Sequence, residues 1–493
     1  MKKKIKLFII IFCLATIITS PNFVTSHALD SYCNMFGGYN STATWFFQNG
    51  RVFSALWFWF LGVINFPFDS ISFVSALGVN LFLTGAIIIV YNIMSKYTEN
   101  KFIKLSILLL SFTIFYSPLM IEVVMFDEAI VMGLGILFVA LCASQIYKGG
   151  LKYYILAFVF MVFSVMCYQG MACFLIPLVI LFESTKFKGG LKQDVLFMLK
   201  KLVIAFACYG IAFVIDLGII KLAESVIGEA TGNVGKIDLL ANISHIRFFL
   251  LPTALSTLFG YIKVWLYYGL VIISLIFAVI GIIRNEFKII NVLLLIGVVA
   301  SAICMPFVPN LVMNSEQNYM AARTVLSITI LPSIVMLLTL AKFNLDAKFW
   351  TYSGLVFSTL ICIIYSFLFY QNTRIDLERF KQDLSYVNQL NTYIGYYENE
   401  NDIEIKHIYW AKDTDSASYY SSGYNNGANN RITGEAWAMK CAVNDYSGKN
   451  YEYTYEEMSD EDLKKYFKNK DYKKFNPDKQ LHYEGDTLYL LIY

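Results

Sequence analysis

Ser117-Pro118-Leu119-Met120-Ile121-Glu122-Val123-Val124-Met125-Phe126-Asp127-Glu128-Ala129 sets three carboxylates where one long apolar run ends and the next begins. An acid in hydrocarbon costs about 3 kcal/mol or more, so such a cluster marks either the wet edge of a membrane or a functional site. The plain alternative is an acidic, solvated loop, with Glu122 solvated or paired. The surroundings decide between them.

Outward from this stretch, apolar runs recur through the first three quarters of a 493-residue chain of which 57% is hydrophobic. A soluble core has no use for so many runs of about 18 residues or more. The expected fold is an all-α polytopic membrane protein, with helices at 5–25, 71–94, 104–121, 129–147, 153–167, 169–182, 202–221, 265–283, 289–308, 324–341 and 349–370. The net charge of +3 is too small to expect a nucleic-acid partner, and the basic residues cluster in short loops instead of forming a stripe.

Lysine and arginine between the runs orient the chain. Lys96, Lys101 and Lys104, then Lys148 and Lys152, Lys186 to Lys201, Arg284 and Lys288, and Lys342 and Lys348 fall in alternate loops, which are taken as cytoplasmic. Eleven crossings follow, with the N-terminus inside and the C-terminus outside a bacterial cytoplasmic membrane. The Lys-rich start, the run Leu7 to Thr19 and Ser26-His27-Ala28 also fit a cleaved signal peptide, and both readings put residue 30 outside. The run 153–182 is split at Tyr168-Gln169-Gly170, which leaves two halves of about 15 residues, roughly 22 Å each, and a turn sunk in the outer leaflet. Arg51 to Phe68, with Trp57, Phe58, Trp59 and Phe60, has the composition of a helix lying in the interface.

Charged residues become dense from Gln371, so residues 1–370 form the membrane domain and 371–493 a small extracytoplasmic α/β domain. There Arg374 to Tyr397 has helical spacing, Ile403 to Ala411 and Asp486 to Tyr493 read as strands, Ser459 to Lys468 as a capped helix and Ser421 to Asn430 as a loop. Most cysteines sit inside apolar runs. Cys33 and Cys441 fall in polar segments, where a disulfide is one option.

On this topology Asp30, Asp127, Glu128, Tyr168 and Gln169 share the outer face with Arg51, Arg247 and Arg323. Carboxylates beside arginines at a membrane surface suit two jobs, a base for a hydroxyl and a bidentate cradle for a phosphate. The ordinary alternatives are arginines that snorkel and a Tyr-Gln pair that caps a turn.

Leu29-Asp30-Ser31-Tyr32, Gly37-Gly38, Trp45 and Asn49-Gly50-Arg51 resemble the first outer loop of the bacterial type II Gtr glucosyltransferases, polytopic enzymes of the GT-C superfamily. Ser117-Pro118 with Phe126-Asp127 is similar to that family's second outer loop, and Cys167-Tyr168-Gln169 to its tyrosine-glutamine turn. The resemblance covers roughly residues 1–185 with motifs and continues beyond as a hydropathy pattern. It implies a GT-C-like enzyme that moves a hexose, typically glucose, from a polyprenyl-phosphate-linked sugar donor to a surface polysaccharide acceptor. It also implies Asp30 as the base, with Asp127 and Glu128 orienting sugar, acceptor or an ion, and Arg51, Tyr168, Gln169, Arg247 and Arg323 binding substrate. Where the family pairs aspartates in the first loop, this chain has Asp30-Ser31, and Glu128 replaces a small polar residue in the second. A divalent cation is left open, since a monophosphate leaving group does not demand one. A surface-polysaccharide polymerase and a lipid-linked saccharide transporter or flippase are the rival readings.

Overall fold

The computed structural model describes residues 2–24, 28–187, 190–228, 238–284, 288–312, 322–343, 348–412, 436–467 and 476–492. Ser26-His27 and the expected loop at 421–430 lie outside them. In chain order the helices are α1 (Lys2–Ile18), α2 (Leu29–Gln48), α3 (Val52–Val63), α4 (Ile71–Met94), α5 (Lys101–Phe115), the single turn α6 (Ile121–Val124), α7 (Ala129–Lys148), α8 (Leu151–Cys167) and α9 (Leu175–Ser184). They continue with α10 (Leu191–Ile227), α11 (Leu239–His245), α12 (Leu251–Tyr261), α13 (Val264–Arg284), α14 (Ile289–Cys304), α15 (Val308–Leu311), α16 (Leu326–Thr329), α17 (Leu331–Lys342) and α18 (Lys348–Asn401).

The chain is a helical membrane protein: among the described residues seven helical segments are long and apolar enough to cross a bilayer, or eight if the bent pair Lys101–Phe115 and Pro118–Val124 is one span. Helices α4, α7, α10, α13, α14 and α18 coincide with runs expected from the sequence. The segments Leu151–Cys167, Gln169–Ser184 and Leu331–Lys342 are shorter apolar helices, and α3 is a 12-residue helix where an interfacial one was expected. Helix α7 lies between α4 and α8 at the centre. Gly78 and Gly133 permit that packing, because a Cβ on Gly78 would stand 2.3 Å from Ile130 and one on Gly133 2.8 Å from Val79.

Four features correct or extend the sequence reading. The stretch expected as the first outer loop is mostly helix: α2 carries Asp30 in its first turn and breaks only at Gly38, whose φ of 73° is left-handed. The 23 residues Leu239–Tyr261 form an apolar helical segment that was not expected, since Asn242, Ser244, His245, Arg247 and Pro252 interrupt its hydropathy. Glu122 is not solvated: it is fully buried and accepts the hydroxyl of Tyr261. Finally, Arg374 to Tyr397 is no separate helix, because α18 runs unbroken for 54 residues, about 80 Å. No glycine or proline interrupts it between Gly354 and Gly395. Phe369, Thr373, Asp376, Phe380, Asp383, Val387, Leu390 and Ile394 are buried along it at alternating spacings of four and three, one seam passing from the bundle into the second domain.

That domain is a four-stranded sheet in the order β2-β1-β4-β3, with β1 (His407–Lys412), β2 (Glu452–Glu457), β3 (Leu481–Glu484) and β4 (Thr487–Ile492). Strand β1 runs parallel to both β2 and β4, and β3 pairs antiparallel with β4. The expected strand, capped helix and final strand are all present, the helix at Asp460–Tyr466 with Ser459 as its N-cap. Its core joins Val387, Leu390 and Ile394 of α18 to Ile408, Trp410 and Leu488, and takes in Tyr32 from α2. Cys33 and Cys441 form a disulfide beside Tyr32, so the helix that carries Asp30 in its first turn is tied covalently to the domain.

Candidate functional site

Tyr168 organises the site. It ends α8 in extended conformation, and the six residues Gln169–Phe174 then wind as a 3-10 turn. The turn closes tightly, since a Cβ on Gly170 would meet the Tyr168 ring at 2.6 Å and Thr324 at 2.9 Å. Arg323, beside Thr324, donates from Nε to the Tyr168 hydroxyl at 2.8 Å and lies over the Phe126 ring at 4.4 Å. Its Nη2 is 3.9 Å from Asp30 Oδ2, at the limit of an ion pair. Arg51, which precedes α3, stacks on the Tyr168 ring at 4.6 Å and lies 5.6 and 5.7 Å from the rings of Trp45 and Phe46. Arg51 is 8% and Arg323 9% exposed, which removes the snorkelling explanation, since a snorkelling head group reaches water.

Glu128 ends the turn before α7 and is buried within electrostatic reach of both arginines. Burial pushes its carboxyl up to about 7. Arg51 and Arg323 pull against that, and Asp30 adds to it. Asp127 is also buried, its carbonyl accepting from the Ser75 hydroxyl. Its charge reaches Tyr39, whose hydroxyl is pushed up to about 12 by burial and then by Asp127. Gln169 donates from Nε2 to the Asn49 carbonyl at 3.1 Å and to Asp216 Oδ2 at 2.9 Å.

Asp30, Arg51, Glu128, Tyr168, Gln169 and Arg323 therefore converge from five separate stretches of chain, with Asp127 next to them. Arg247 is not gathered in: it is exposed on the π-helical turn Ile246–Leu250, 5.1 Å from the ring of Phe248. Asp216 belongs to the group, although the sequence reading did not place it there. It is buried in α10, hydrogen-bonded to Gln169 and within electrostatic reach of Arg51. The available signal was an acid inside a spanning run. Among the described residues no three His, Cys, Asp or Glu side chains are grouped to hold a metal ion, so no chemical step is routed through one.

Two buried guanidinium groups, an aromatic platform and several carboxylates at the end of a helical bundle can hold an anion and accept a proton from a hydroxyl. Fold and site define a helical membrane protein with a small mixed-sheet domain and a buried arginine-carboxylate centre. Among known proteins, no family model matches the chain, and no curated protein matches it significantly.

Proposed function

We propose that the chain is a membrane glycosyltransferase of GT-C-like architecture that transfers a hexose, glucose by its resemblance to the type II Gtr enzymes, from a polyprenyl-phosphate donor to a surface polysaccharide. The reaction takes place on the outer face of the bacterial cytoplasmic membrane. The observation that carries this reading is the convergence of buried Arg51 and Arg323 on Tyr168, with Asp30 at ion-pair distance from Arg323. The Cys33–Cys441 disulfide supports an outer location for both segments, because the cytosol keeps such thiols reduced. About eleven crossings fit if α8 and α9 meet at the sunken Tyr168-Gln169 turn.

In this mechanism the two arginines hold the donor phosphate and take up the charge that develops as it leaves. Asp30, whose side chain is one-third exposed, can be reached by an acceptor from outside. An acceptor hydroxyl oxygen bonds to the anomeric carbon, the bond from that carbon to the phosphate oxygen breaks with its electrons going to phosphate, and the hydroxyl proton passes to Asp30. Attack opposite the leaving group inverts the anomeric centre.

The test is transfer of radiolabel from a polyprenyl-phosphate hexose to polymer by membranes containing the protein. Label should enter the polymer without changing its length, and Asp30→Asn should reduce the rate by roughly 10²–10⁴. Chain lengthening would indicate the polymerase instead, and movement of the lipid-linked sugar across the membrane without transfer would indicate the flippase.

A further inference from the structure

Four buried polar atoms around Tyr168 have no hydrogen-bond partner among the described residues: Nε and Nη1 of Arg51, Oε2 of Glu128 and Oδ1 of Asp216. Each such atom costs about 1–3 kcal/mol, and native proteins leave few of them. These four are not scattered, because Arg51 is within electrostatic reach of both Glu128 and Asp216. Two are donors on a cation and two are carboxylate acceptors. A bare anion would satisfy only the first pair, and a neutral polyol can meet both but without the charge-assisted bond that a guanidinium makes to an anionic oxygen. A ligand that carries anionic oxygens and hydroxyls on one small frame satisfies both.

The loop that carries Arg51 approaches Asp216 closely. Gly50 has a left-handed φ of 76°, and a Cβ there would stand 2.5 Å from Asp216 Oδ1. The other oxygen, Oδ2, is held by Gln169, which fixes the direction of the free one. The ring of Trp45, exposed beside Arg51, supplies an apolar face against which the C–H face of a sugar ring can lie.

We propose that Asp216 is a specificity-determining residue that accepts hydroxyl groups of the donor hexose while Arg51 holds its phosphate. This rests on the glycosyltransferase reading and adds a sugar-reading role for a carboxylate inside a membrane-spanning helix. Asp216→Asn is isosteric, keeps an acceptor for Gln169 and removes a buried charge, so folding is not endangered.

The experiment compares binding of a hexose 1-phosphate and of inorganic phosphate to the purified full-length protein in lipid nanodiscs. Wild type should favour the sugar phosphate by about tenfold or more, as expected when hydroxyls meet a charged acceptor. Asp216→Asn should bring that ratio close to one with phosphate affinity unchanged, whereas Arg51→Lys should weaken both ligands together. Deoxyhexose 1-phosphates should then identify the hydroxyl whose loss matters to wild type and not to Asp216→Asn. An unchanged ratio in Asp216→Asn, an equal loss for both ligands, or a wild type that does not distinguish them would overturn the proposal. A protein that shows the binding ratio yet transfers no sugar from any polyprenyl-phosphate hexose would instead overturn the glycosyltransferase reading and leave the hydroxyl-binding role standing.

Discussion

Glu128 shows how one buried side chain can set the working range of the site. Its carboxyl, lifted to about 7 chiefly by burial, carries a proton below neutrality and a negative charge above it. Both arginines that would hold a phosphate feel that change. Below pH 7 they face the ligand with one fewer competing anion, and as pH rises through 7 the ionised Glu128 competes. Affinity for a phosphodiester-linked donor, which does not itself titrate in this range, should therefore fall by about tenfold between pH 6 and pH 8, equivalent to about 1.4 kcal/mol. Glu128→Gln should flatten the profile at its tighter, low-pH level. A profile that keeps its inflection in that variant would assign the titration to another group.

Helix α18 is where element and function are joined most directly. Its buried seam locks the second domain to the bundle, and Asn372 adds a hydrogen bond from Nδ2 to the Tyr261 carbonyl at 3.2 Å. One alanine inserted between Asn372 and Thr373 would turn everything beyond it by about 100° and advance it about 1.5 Å. The Cys33–Cys441 bond should then form poorly, seen as two extra alkylatable thiols per chain, and transfer should fall at least about tenfold because the turn that carries Asp30 loses its anchor. The same insertion after Gly448, at the end of a domain helix, should leave both near normal. Helices such as α4, α7 and α13 were legible because their residues are apolar all round, and Asp30, Arg51, Glu128, Tyr168, Gln169 and Arg323 because chemistry at helix ends stands out against such runs. The continuity of α18 was not, since a change from apolar to charged surface looks like a boundary while the 4-3 seam beneath it continues. Nor was the part Asp216 plays, as its partner Gln169 is 47 residues away and only folding brings the two together.

At the scale of the whole molecule the disulfide constrains the topology. Cys33 and Cys441 must lie on one side of the membrane, so an even number of crossings separates them. The proposed arrangement has ten between these residues, the eleven crossings less the first. The segment Leu239–Tyr261 is long enough to add another, and that would place the two cysteines on opposite sides. The proposed arrangement therefore lays it in the interface, in keeping with its side chains: Arg247 is exposed beside exposed Phe248 and Phe249, while Asn242 donates from Nδ2 to the Leu311 carbonyl at 3.1 Å. A helix with a basic residue amid outward-facing aromatics is suited to the headgroup boundary, where rings enter the acyl region and the guanidinium meets lipid phosphate. Topology reporters fused after Gly228 and after Lys263 should thus both be active outside the cytoplasm, as should one after Tyr370, while one near Lys192 should be active only inside. Opposite signals at Gly228 and Lys263 would make Leu239–Tyr261 a true span, and one of the short helices α8, α9 or α17 would then have to turn back within the bilayer to keep the cysteines together.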